Sequence, residues 1–132
     1  MTTDIAYIDS SAFVKLIAEE SETAALRLEL DRWARLASCS LLVAEVTRTV
    51  LRAAPALLPV ASRLLAAVDL IAVTRPRLQQ AGQLQPPQLR TLDALHLVSA
   101  MAVGARLGVL VTYDRRIASA AQWHGVSVVA PS

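Results

Sequence analysis

Short β-prone runs and longer helical stripes alternate along the 132 residues of the chain. The densest apolar stretch runs from Leu92 to Val103. It is apolar on nearly every face, the pattern of a helix packed on all sides. Thr91 is its expected cap, which puts Asp93 in the first turn, where the helix dipole favours a carboxylate. The helix is expected to end near Gly104 or Gly108.

From the start of the chain, Ile5-Ala6-Tyr7-Ile8 reads as a strand that stops at Asp9-Ser10-Ser11. A helix capped by Ser10 or Ser11 then runs through Phe13, Leu16 and Ile17. A second helix is expected from about Glu22 to Leu36, with acids near its start and Arg32 and Arg35 near its end. Ala37 to Ser40 makes a very short strand. Leu41 to Leu51 is a helix with Leu42, Val43, Val46 and Val50 on one stripe and Glu45 beside it. Pro55 and Pro59 punctuate, and Val60 to Val68 forms another helix. Asp69 to Val73 is a strand, and Pro76 opens a short helix over Arg77 to Ala81. Gln85-Pro86-Pro87-Gln88 is a loop feeding the apolar helix. Gly108 to Thr112 is the clearest strand and ends at Tyr113-Asp114. Arg115 to His124 is a last helix closed by Gly125, and Val126 to Val129 a last strand.

Short apolar strands alternating with helices predict a single α/β domain over residues 1–132, a three-layer α/β/α sandwich on a short, mostly parallel sheet. Ligands of such sheets bind at the carboxyl ends of the strands.

Composition adds a size and a compartment. At 55% apolar residues the chain has ample material for a core without metal or disulfide support. A single cysteine, Cys39, forms no internal disulfide and fits a reducing compartment. Asp4 interrupts any secretion signal at the start, and the uncharged stretches are too polar for a membrane span. A soluble cytoplasmic protein is the expectation.

Net charge is only +2, but it is unevenly spread. Residues 1–31 hold seven acids and two bases, whereas residues 32–132 hold four acids and eleven bases. The later part suits a polyanionic partner. Its four acids are Glu45, Asp69, Asp93 and Asp114. Asp9 and Asp114 directly follow strands, and Glu45 and Asp93 lie near helix starts, so these four fall toward the carboxyl edge. Asp69 precedes its strand and belongs to the opposite edge.

Each acid also has an ordinary role open to it. Asp9 suits a turn or cap, Glu45 a pair with Arg48 one turn on, Asp93 the helix dipole, and Asp114 a cap on the following helix. Gathered in one cleft, four carboxylates repel and raise one another's pKa, a cost that a cation removes. An all-oxygen set favours Mg²⁺ or Mn²⁺ over Zn²⁺. Ser10 and Thr112 are candidates for holding a water or phosphate, against roles as a cap and an ordinary strand residue. His96, one turn after Asp93, reads as a packed, hydrogen-bonded histidine ahead of a metal ligand. His124 reads as a helix-end surface residue. Few aromatics argue against a base-stacking platform.

Tyr7-Ile8-Asp9-Ser10-Ser11-Ala12, Glu45 after a short polar strand, Leu89 to His96, and Val111-Thr112-Tyr113-Asp114-Arg115-Arg116 together resemble the PIN-domain nucleases, specifically VapC-type toxins. In order and spacing these pieces span essentially the whole chain, and Thr91-Leu92-Asp93-Ala94-Leu95-His96 is the most distinctive. The resemblance implies an Mg²⁺- or Mn²⁺-dependent endoribonuclease with Asp9, Glu45, Asp93 and Asp114 as its acidic set. It also implies a homodimer and a VapB-type antitoxin covering the site. One departure concerns the second metal position: Arg115 and Arg116 stand where many members carry an acid or amide. They are candidates for contact with RNA phosphate. Two other functions share this scaffold. One is a binding protein with little activity, and the other a phosphatase using Asp9 as nucleophile. The common haloacid-dehalogenase form of the latter wants an Asp where Ser11 stands.

Overall fold

A computed structural model describes residues 2–132. Five strands form one sheet: β1 (Ile5–Ile8), β2 (Arg35–Cys39), β3 (Asp69–Ile71), β4 (Leu107–Val111) and β5 (Val128–Val129). Their order is β3-β2-β1-β4-β5, and every neighbouring pair is parallel. Seven α-helices connect them: α1 (Ser10–Ile17), α2 (Thr23–Leu30), α3 (Leu42–Ala53), α4 (Leu58–Leu65), α5 (Arg75–Gly82), α6 (Thr91–Ala102) and α7 (Arg115–Trp123).

The central strand explains the layering. Ala6, Tyr7 and Ile8 of β1 are completely buried, as expected for a parallel strand covered on both faces. Side chains alternate across a strand. Ala6 and Ile8 therefore join a core with Phe13, Leu26, Val46 and Leu65 from α1 to α4. Tyr7 faces the other way, among Leu97 of α6 and Ile117 of α7. Helix α5 reaches this second layer by packing on α6 through Ala81, Ala94 and Val98. The three-layer sandwich expected from the sequence is present.

Helix α6 is the densely packed element that its composition predicts, with every residue from Asp93 to Ala100 buried. Its start differs from expectation. Arg90, in extended conformation, holds the N-cap position and makes no side-chain cap bond, so Thr91 is the first helical residue. Other boundaries are corrected as well, among them the last strand, which is confined to Val128–Val129. Asp9, and neither Ser10 nor Ser11, caps α1, its side chain accepting from the Ala12 N–H. Helix α2 stops at Leu30 instead of running to Leu36. The tertiary structure takes the residues beyond it: the Trp33 ring packs against Gly108 of β4, and Arg35 opens β2 and pairs with Asp69. The third strand is confined to Asp69–Ile71, and Thr74 caps α5, which starts two residues earlier than the Pro76 signal suggests.

The topology selects one location for a ligand. The chain builds outward from β1 through β2 to β3, then returns to place β4 on the other side of β1. In open parallel sheets the crevice at such a reversal, beyond the carboxyl ends of the strands, is where ligands bind. Here it lies between the ends of β1 and β4, where Asp9 and Thr112 follow directly.

Candidate functional site

The Asp9 carboxylate sits at that crevice, 1% exposed. Two hydroxyl groups clasp it. Ser11 donates to Oδ1 at 2.7 Å and Thr112 donates to Oδ2 at 2.5 Å. Each hydroxyl in turn accepts a backbone N–H from the turn after β4, Ser11 from Tyr113 and Thr112 from Asp114, both at 3.0 Å. The Ala12 N–H is a third donor to the carboxylate and the second to Oδ1. Despite these donors, burial pushes the Asp9 carboxyl above its ordinary value. Its environment supplies hydrogen bonds but too little positive charge.

Glu45 lies one turn into α3 with its side chain 19% exposed. The expected pair with Arg48 does not form; the partner is His96, whose Nε2 is 2.7 Å from Oε1. Oε2 lies 3.5 Å from the Ser10 hydroxyl, which joins Glu45 to the residue next to Asp9. The other nitrogen of His96, Nδ1, lies 2.8 Å from the Tyr7 hydroxyl, and that hydroxyl accepts the Cys39 N–H at 2.9 Å. Tyr7 has one proton to give, and His96 Nδ1 receives it. With Nδ1 accepting from Tyr7, the ring carries its hydrogen on Nε2 and donates it to Glu45. This Tyr7–His96–Glu45 relay was invisible as a unit in the sequence. A lone histidine on an apolar helix predicts a packed side chain, which is what His96 is, but names no partner.

Asp93 lies one turn before His96 on α6, 9% exposed, with the exposed Arg90 guanidinium 3.5 Å away. Asp114 caps α7, its Oδ1 accepting from the Arg116 and Ile117 N–H groups at 2.8 and 3.2 Å. Asp9 and Asp114 therefore both cap helices and both stand at the carboxyl edge. Hydrogen bonds through Thr112 tie Asp114 to Asp9, and Ser10 and His96 tie Asp9, Glu45 and the start of α6 together. Among the described residues, no group of three or more His, Cys, Asp or Glu side chains is gathered closely enough to hold a metal ion. Arg115 and Arg116 are the first two residues of α7 and are exposed.

The two edges of the sheet are electrostatically different. At the amino edge, Asp4 takes a two-pronged bond from Arg106, and Arg35 bonds Asp69 at 2.7 Å. Asp69 is on the edge opposite the site, as its position before β3 requires. At the carboxyl edge, neither Asp9 nor Asp114 forms an ion pair among the described residues, whereas Glu45 meets His96 and Ser10 and Asp93 meets the exposed Arg90. Carboxylate oxygens of this kind are the donors that a small divalent cation holding several of its own waters prefers.

Comparison with known proteins identifies the family. A family model described as PIN domain matches residues 6–122. Ribonuclease VapC46 of Mycobacterium tuberculosis is 44% identical over 126 residues, covering 96% of this chain and 97% of that protein. Ribonuclease VapC35 of the same species is 38% identical, covering 95% and 96%. Among solved structures, VapC20 of M. tuberculosis, described as a sarcin–ricin loop cleaving toxin, superposes with a TM-score of 0.73 at 17% identity over 96% of this chain and 99% of that one. VapBC2 of Rickettsia felis, solved on a promoter DNA fragment, gives 0.76 at 16% identity over 97% and 99%. At those identities the structural likeness speaks for the fold. The family match and the two close relatives, each aligned nearly end to end, establish that the chain belongs to the PIN-domain family, among the VapC ribonucleases.

Proposed function

We propose that the chain is a divalent-cation-dependent endoribonuclease, the toxin of a toxin–antitoxin pair, with Asp9, Glu45, Asp93 and Asp114 as its cation-holding acids. The observation that carries this reading is the contrast between the amino edge, where Asp4 and Asp69 each hold an arginine, and the β1–β4 crevice, where the buried Asp9 and the neighbouring Asp114 have no ion-pair partner among the described residues. Mg²⁺ is the favoured ion and Mn²⁺ the alternative, because the donors are carboxylate oxygens. When bound, a divalent cation supplies charge neutralisation at the phosphate and a more acidic water.

The chain's own residues supply the rest. Ser11 and Thr112 fix both oxygens of Asp9, so its carboxylate needs no reorganisation as RNA arrives. His96 holds Glu45 toward Ser10 by a hydrogen bond from Nε2 to Oε1. Asp114 uses Oδ1 as a cap, which leaves Oδ2 to the crevice. Arg115 and Arg116, directly beyond, offer guanidinium groups to phosphate. Ser10 and Thr112 line the approach.

The phosphatase alternative is disfavoured by the same bonds. Both oxygens of Asp9 are engaged by donors, which suits a fixed ligand and hinders a nucleophile. On the proposed reading the chain forms a homodimer, binds a VapB-type antitoxin across the site and works in the cytoplasm. No helix among the described residues is long and apolar enough to cross a membrane. A structure described as a toxin–antitoxin complex from Klebsiella pneumoniae shares this fold and supports the antitoxin partner.

The test is RNA cleavage in Mg²⁺ by the wild type beside Asp93→Asn. The variant is expected to fold and to lose at least about a hundredfold in cleavage rate. Cleavage by Asp93→Asn at the wild-type rate would reject the site. Phosphate release from monoesters without RNA cutting would favour the phosphatase.

A further inference from the structure

A groove of about 870 Å³ runs between α7 and the loop that leads into α6. Arg115, Arg116, Ser119 and Trp123 of α7 line it on one side, and Gln85 and Gln88 of the loop on the other. Arg116, Ser119 and Trp123 are spaced three and four residues apart and so share one face of the helix. That face extends about 10 Å from the arginine to the tryptophan. Its arginine end adjoins Asp114, the cap of the same helix.

One feature of this groove is unusual for plain surface: Trp123 is 71% exposed, in a chain with only two tryptophans. Arg115 and Arg116, which form no ion pair among the described residues, stand on the same helix and line the same groove. The groove is also braced. The His124 ring packs edge-on against Trp123 and its Nε2 bonds the Gln85 carbonyl at 2.7 Å, fixing one wall to the other. The scarcity of aromatics that argued against base stacking therefore overlooks one ring placed in the open.

We propose that this groove binds the single-stranded RNA segment next to the scissile phosphate, an inference that rests on the ribonuclease reading above. Guanidinium groups bind phosphate bidentately, and an exposed indole stacks on any unpaired base. Glutamine amides opposite offer donors and acceptors to the base edge. The groove supplies these three chemistries in order along one strand's length, beginning at the acidic site. Charge selects RNA over a protein partner, since the two arginines await an anion.

The experiment measures binding of a short, labelled single-stranded RNA of mixed sequence, in EDTA to prevent cutting, by fluorescence anisotropy across a salt series. Trp123→Ala is expected to weaken binding about tenfold, and Trp123→Phe to restore most of it. Arg115→Ala combined with Arg116→Ala should reduce the slope of log affinity against log salt by about 0.7 for each arginine. Arg63→Ala, an exposed arginine on α4, should change neither quantity. Wild-type affinity in both groove variants would overturn the proposal. So would a change in sedimentation at unaltered RNA affinity, which would make the face a protein interface. Cleavage of the same RNA in Mg²⁺ separates the two readings. RNA cut by the wild type, with groove variants that bind normally, rejects the groove alone. RNA neither bound nor cut by the wild type rejects both.

Discussion

His96 donates from Nε2 to Glu45 across 2.7 Å, while its Nδ1 accepts from Tyr7, so one buried ring joins the central strand to an acid of the crevice. Partners that orient ligating side chains commonly matter about 10- to 100-fold in metal affinity or activity. His96→Ala is expected to fall in that range in RNA cleavage, with His96→Gln recovering part of the loss through its amide donor. Equal rates for wild type and His96→Ala would show that Glu45 needs no such support.

Tyr7→Phe tests the next link. It leaves the Cys39 N–H and His96 Nδ1 without partners in the interior, where an unsatisfied group costs about 1–3 kcal/mol. The urea midpoint should drop accordingly. A variant as stable as the wild type would mean that water replaces the phenol.

Asp9 gives a pH dependence. Burial raises its folded-state pKa, so between the ordinary carboxylate value and the raised one the native protein keeps a proton that the unfolded chain has released. Stability of the cation-free protein contributed by this group therefore falls as pH rises through that window. Asp9→Asn, which retains an oxygen for the Ala12 N–H, should remove the fall. Urea midpoints of the two proteins in EDTA are expected to diverge with rising pH in favour of the variant. A constant difference would contradict the burial argument.

Millimolar Mg²⁺ or Mn²⁺ should raise the melting temperature of the wild type, because an ion bound to the native state alone stabilises it. Asp93→Asn should shift less. Identical thermal curves with and without either ion, in the wild type, would remove the case for a cation here.

Gly108 provides a test of the fold. A Cβ at this position would overlap the Trp33 ring, which also bonds Glu29 through its indole N–H at 2.8 Å. Gly108→Ala is expected to destabilise by about 1–3 kcal/mol, as overpacked substitutions do. Chemical denaturation measures it directly, and an unchanged midpoint would mean that the indole swings aside freely.

Much of this organisation was legible in the residues themselves. The buried strands, the mostly apolar α6 and the placement of Asp9 and Asp114 after strands follow from local pattern and the direction of a parallel sheet. What escaped was set by tertiary contact. Helix α2 carried its acids and arginines in dipole order, yet Trp33 and Arg35 belong to contacts with β4 and β3. The cap of α1 went to Asp9 because its carboxylate reaches Ala12 N–H while Ser11 turns to support it, a choice between neighbours that periodicity does not resolve. The bond between Glu45 and His96 joins residues fifty-one positions apart, and no spacing rule links them.

The sheet is bounded by β3, three residues long, and β5, two residues long. Such stubs leave little unpaired backbone for another chain to extend, and short edges are how sheets avoid growing by strand addition. Any assembly this protein enters, with a second copy or a different chain, must therefore be built from side chains on helices and loops, and its specificity can diverge without disturbing the strands that hold the acids in place.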